Sequence, residues 1–267
     1  GSNQERAMEW SDLGGQFCLQ LTFGTLLALA FVPKAPVGVL FYRVMGTAAV
    51  IPIFLAGILP IVYGGLAWND PSVLATWAGV LAFPFYAGKT RGKAWVAALG
   101  VGLISCILAL ALTMNRSLDL AGIELGVALL SALATGAVAG SVGLAMVLGH
   151  WYLTVPKLKV SHLGRLNLVT AASMLVSLLL LVASCLIFRE TLEYARTPLF
   201  GMRGLFHFGT RIVVGLLLPL LFAWMAKESM SYGNTRSATG ILYASTVMVL
   251  IGSALSISLQ DNYGLPL

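Results

Sequence analysis

Eight apolar runs, each read as long enough to cross a bilayer, take up almost the whole of this chain and are separated by short polar hinges. A spanning helix needs about 20 predominantly apolar residues, because the hydrocarbon core is about 30 Å thick and each residue rises about 1.5 Å. The runs extend over Gln16 to Val32, Val44 to Trp68, Pro71 to Gly88, Ala94 to Met114, Ala121 to Tyr152, Leu166 to Phe188, Leu205 to Ala226 and Ala238 to Leu259. The first and third are short and the fifth is long. Their continuity and their richness in Leu, Ala and Gly argue for helices, since a membrane β-barrel shows alternating segments of about 10 residues.

Charged residues make up 10% of the chain, against about 25% in a typical soluble domain. The sequence therefore predicts an all-α, polytopic integral membrane protein: a bundle of about eight transmembrane helices over residues 16–260, a polar N-terminal segment 1–15 and a short tail 261–267. Gly1 to Asp12 is polar and acidic without a basic n-region, so no cleavable signal peptide is read there.

Basic residues in short loops mark the cytoplasmic side. Hinges after odd-numbered runs hold Lys34, Arg43, Lys89, Arg91, Lys93, Lys157, Lys159, Arg165, Lys227 and Arg236, with Glu228 as their acid. The opposite side holds Arg6, Arg116, Arg189, Arg196 and Arg203 among Glu5, Glu9, Asp12, Asp70, Asp119, Glu124, Glu190, Glu193 and Asp261. This asymmetry predicts a multi-pass protein of the cell inner (plasma) membrane with both termini non-cytoplasmic. It also explains the net charge of +6 without nucleic acid, since the bases form no stripe or groove. Trp10, Trp68, Trp95, Trp151 and Trp224 fall near run ends, where indoles anchor at headgroup depth.

Several local features bear on packing. Pro52, Pro60, Pro84 and Pro219 lie inside runs and each removes a backbone hydrogen bond. Gly136, Gly140 and Gly143 share a face of the fifth run that ends at His150; it suits close helix packing or a flat cofactor. Ser161 reads as an N-cap for the sixth helix after Pro156, and a Thr or Ser after the polar hinge Lys227–Gly240 as the cap of the eighth. The outer connection Arg189–Gly204 reads as a small surface helix or a docking surface. Cys18, Cys106 and Cys185 have no metal spacing and read as small hydrophobes.

Ionisable groups within a membrane are costly, so those present point to function. Arg211 lies about two turns into the seventh run with His207 one turn before it, and Glu124 is the counter-charge nearest in depth. This outer group suits a quinone headgroup, or a haem propionate or lipid phosphate held by the Arg211 fork; a structural ion pair with Glu124 or snorkelling of Arg211 to the surface are the plainer alternatives. On the inner side His150 and His162 lie on adjacent run ends and could ligate haem iron or another metal. Gln16 and Gln20 form a polar stripe on the first run.

No Gly-x-Ser-x-Gly, His-Glu-x-x-His, Cys-x-x-Cys or phosphate-loop spacing occurs, which disfavours a stand-alone hydrolase, zinc protease or thiol oxidoreductase. The reading that results is a membrane subunit of a larger electron-transfer complex, with haem b or quinone as cofactor and with other membrane subunits and a soluble redox protein as partners. A pigment- or lipid-binding structural subunit and a small-solute transporter are the alternatives.

Overall fold

The computed structural model describes residues 2–32, 37–87, 92–118, 120–155, 158–189, 192, 199 and 201–263. Among them there is no strand. The helices are α1 (Ser2–Ala30), α2 (Val39–Val62), α3 (Pro71–Tyr86), α4 (Lys93–Leu118), α5 (Gly122–Thr154), α6 (Val160–Ile187), α7 (Met202–Ile212), a π-helical stretch (Val213–Leu217), α8 (Leu218–Ser231) and α9 (Thr235–Tyr263). Seven segments are long and apolar enough to cross a membrane, with α7, the π stretch and α8 forming one of them; α3 is a shorter apolar helix. Large apolar side chains such as Ile104, Leu168, Leu179 and Leu186 point outward, as suits helices that face a bilayer. The protein is a multi-pass membrane protein. It forms two compact units, Gly1–Leu129 and Leu130–Leu267, and the boundary falls within α5.

In the first unit α1 packs on α2 and α4, and α3 packs on the same two helices. Small residues set these approaches: a Cβ on Gly79 would lie 2.5 Å from Ile53 Cδ1 and 3.1 Å from Ser105 Cβ. The Thr22 hydroxyl shares its one proton between the Cys18 carbonyl one turn back, at 2.9 Å, and the Ala49 carbonyl of α2, at 3.2 Å, joining α1 to α2. Asp70 starts α3 by accepting from the Ser72 backbone N–H at 2.9 Å, with Pro71 at the first helical position, where its missing N–H costs nothing. Trp77 lies edge-on to Phe54, with ring centroids 5.4 Å apart, above Gly57.

In the second unit α6 and α9 bury seams of heptad spacing. On α6 buried Leu163, Asn167, Thr170, Met174, Ser177, Leu181 and Ser184 alternate in steps of four and three, with Leu166 buried beside them; on α9 Ala238, Leu242, Ser245, Val249, Gly252, Ser256, Leu259 and Tyr263 do the same, and Thr239, Thr246, Ser253 and Gln260 add a buried row seven residues apart. That period keeps one face turned to a neighbour over the full helix length, and the small Ser, Thr and Gly let backbones close in. The tightest point is Gly215 against Gly252, where a Cβ on Gly215 would lie 2.8 Å from the Gly252 Cα. Gly215 sits in the π stretch just before Pro219. Proline has no N–H for the carbonyl four residues back, and the chain widens there so that Leu218 N–H reaches Val213 O instead.

Several expectations are corrected by the structure. α2 ends at Val62 rather than near Trp68, since Gly65 turns the chain at φ +67°. Trp95 is 3% exposed and packs edge-on against Tyr42 at 5.9 Å, so it is core rather than an interface anchor; Trp10, Trp68 and Trp224 are exposed as anchors should be. Ser161 lies inside the first turn of α6, whose N-cap is Lys159 without a side-chain bond. The last helix is capped by Asn234, whose Oδ1 accepts from Ser237 N–H at 3.0 Å, and not by Thr or Ser. Gly233 at φ +71° makes the turn that precedes it. α5 is one continuous helix of 33 residues, about 50 Å long and so longer than the hydrocarbon core. Most of the Arg189–Gly204 connection lies outside the described residues, as does Pro156.

The Gly215 contact gives a direct check. Gly215→Ala should cost about 1–3 kcal/mol of stability through forced separation of the two backbones, whereas Gly143→Ala, where a Cβ meets nothing within 4 Å, should leave the unfolding temperature unchanged or raise it. Equal effects of the two would refute the close approach.

Candidate functional site

Arg211 sits about 10 Å along the span that begins at Gly204, and it is 1% exposed, the largest fully buried side chain among the described residues. Its Nη2 donates to Thr135 Oγ1 on α5 at 2.9 Å and toward Ser177 Oγ on α6 at 3.4 Å. Its Nη1 lies beside the Gly215–Gly252 crossing, 3.2 and 3.3 Å from where Cβ atoms on those glycines would stand. Four parts of the unit therefore meet at one guanidinium. Arg211 does not snorkel: its stem and head are both enclosed by protein. The π stretch begins two residues later, and such widened turns inside helices are frequent at functional sites.

Of the other predicted site residues, His207 is half-buried on α7 with its ring edge-on to Phe206, 6.0 Å between centroids. Glu124 is exposed and belongs to the first unit, while Arg211 belongs to the second. His150 is exposed at the far end of α5, with Nδ1 3.4 Å from the Tyr243 hydroxyl of α9. His162 is half-buried in the first turn of α6, and its Nδ1 is enclosed without a hydrogen-bond partner among the described residues. No group of three or more His, Cys, Asp or Glu suited to a metal ion occurs among the described residues. Gly136 and Gly140 are buried and Gly143 is half-buried; Gly149 makes a tight approach, where a Cβ would lie 2.7 Å from Thr239 Oγ1.

A second polar centre, in the first unit, was not anticipated as a site. Arg116 at the end of α4 bonds Asp12 of α1 at 2.8 Å and Asp70 at 3.3 Å, and donates to Ser72 Oγ at 2.9 Å. Gln16, one turn along α1 from Asp12, is fully buried and donates to Ser117 Oγ at 3.2 Å. Below these charges a narrow cleft is lined by Asp12, Gly15, Leu19, Ala56, Pro60, Ser72, Val73, Thr76 and Thr113. It has room for about one water molecule and none for an aromatic headgroup. Asp12, Asp70 and Arg116 all fall on the outer side of the hinge assignment, so their meeting was foreshadowed by topology; what sequence lacked was the order of helices around the unit.

Burial alone would raise the Asp70 carboxyl, but hydrogen bonds from Ser72, the charge of Arg116 and the Val73 N–H outweigh it, and the group is held below the usual carboxylate range. A carboxyl depressed on folding lends stability above its unfolded value and loses it as pH falls through the folded one. The unfolding temperature should therefore decline as pH drops below about 4, with a smaller decline in Asp70→Asn; identical acid profiles would contradict the assignment. Because these pairs are partly exposed, Arg116→Gln should cost only about 1 kcal/mol, read as a lowered unfolding temperature.

Comparisons of this chain with protein-family models, curated proteins and solved structures find no match.

Proposed function

We propose that this protein is a membrane subunit of a larger electron-transfer assembly, and that its second unit presents Arg211 to the oxygen-bearing headgroup of a lipophilic redox partner of the quinone class. The observation that carries this reading is the enclosed guanidinium, with Thr135 and Ser177 holding one end of its fork. A cation kept inside a span is costly, and where it persists it marks a ligand or ion path by default. His207, one turn earlier on α7, adds an imidazole that can donate or accept a hydrogen bond. Haem b is the other cofactor this assignment accommodates, with His150 and His162 as the imidazoles to test.

The charge asymmetry of the hinges supports an inner (plasma) membrane location with both termini outside. The joint contact of Asp12, Asp70 and Arg116 supports the alternation of hinges in the first unit, because those three residues then share one face. Other membrane subunits and a soluble redox protein are the partners this role requires.

The same guanidinium favours a second reading, a structural subunit that binds lipid or pigment, because it ties α5 and α6 to α7. Arg211→Gln separates the two. Loss of quinol-linked turnover at least tenfold with the complex intact supports the first; failure to assemble supports the second; unchanged turnover and assembly overturn both. A reduced-minus-oxidised spectrum of the natively isolated protein tests haem: a band near 560 nm should vanish in His150→Ala if that imidazole is a ligand, and a flat wild-type spectrum removes haem from the proposal.

A further inference from the structure

The cleft at the charged end of the first unit has the makings of an ion site that the quinone reading does not use. Its polar lining is oxygen: the Asp12 carboxylate and the hydroxyls of Ser72, Thr76 and Thr113. Pro60 also lines it, and having no N–H it leaves the Ala56 carbonyl, four residues back, without its helical donor. That carbonyl faces Gly15, whose Cβ would stand 3.8 Å from the oxygen; the missing side chain keeps this side of the cleft clear. Thr76 spends its proton on the Ser72 carbonyl at 2.8 Å and keeps its lone pairs. Thr113 is 6% exposed, lines the cleft, and its hydroxyl has no hydrogen-bond partner among the described residues. A threonine inside a helix ordinarily returns its proton to the carbonyl one turn back, as Thr22, Thr25 and Thr76 do here.

Charge decides the kind of ligand. Two carboxylates, Asp12 and Asp70, share one guanidinium, so the described cluster carries one negative charge in excess. Arg116 is engaged by Asp12, Asp70 and Ser72, all of them at the rim. An all-oxygen lining suits hard cations, the single net charge matches a monovalent one, and the space admits a body about the size of a water molecule. Backbone carbonyls released at helix breaks also coordinate sodium ions in secondary transporters.

We propose that this cleft binds one sodium-sized monovalent cation, with Asp12, Thr113, Thr76 and the Ala56 carbonyl as its oxygen ligands. The site does not depend on Arg211 or on the electron-transfer role.

The test is thermal unfolding of the purified full chain in detergent, followed by tryptophan fluorescence in sodium chloride and in choline chloride at equal ionic strength. A ligand that binds only the folded state raises the unfolding temperature with its concentration. Sodium should give a saturating rise of about 3 °C or more that choline does not. Thr113→Val keeps the shape of a side chain whose hydroxyl bonds no other group among the described residues, so it should unfold near the wild-type temperature in choline yet lose most of the sodium response; Asp12→Asn should lose it entirely. Equal behaviour in sodium and choline overturns the proposal, as does a wild-type sodium response in Thr113→Val.

Discussion

A polar group inside a bilayer can bond only to protein, and the arrangement of both units follows from that constraint. In the second unit the demand is concentrated on Arg211, whose five donors must be met within a span. Thr135 reaches it from α5 and Ser177 from α6, while the glycine crossing of the π stretch and α9 brings the helices near enough for the guanidinium to lie between them. The heptad seams of small residues on α6 and α9 serve the same end. Without a hydrophobic drive between helices in lipid, close packing and such bonds are what hold a bundle together.

The first unit meets the constraint differently. Its charges lie at one end, where α1, α3 and α4 bring Asp12, Asp70 and Arg116 within bonding distance, and its interior is closed by glycine contacts and by Trp77 over Gly57. Polar residues below the charges, Gln16, Thr76 and Thr113, are buried, and the two threonines line the one-water cleft. One unit thus encloses a cation and the other has an excess of negative charge at its rim. The proposals for a quinone-class ligand and for a monovalent cation each take their chemistry from that difference in sign.

Prolines are put to use in both. Pro219 follows the widened turn that lets Gly215 meet Gly252, and Pro60 releases the Ala56 carbonyl beside Gly15. In a membrane such breaks persist only where protein answers the freed backbone groups, so a proline kink marks a place where neighbouring helices or ligands must supply chemistry.

The membrane character, the helical class and the approximate spans were legible in the sequence, because the bilayer imposes a length and an apolarity that one chain segment shows by itself. The outer placement of Asp12, Asp70 and Arg116 was legible too, since hinges alternate between sides. Their convergence on one another was not. It depends on the order of helices around the unit, and neither spacing nor charge encodes that for helices as far apart in sequence as α1 and α4. Likewise Arg211 stood out as costly in any reading, but its hydroxyl partners Thr135 and Ser177 are ordinary residues in apolar runs. Only the tertiary structure brings them to one guanidinium, because helix rotation and crossing are set by packing between spans, a property of no single span.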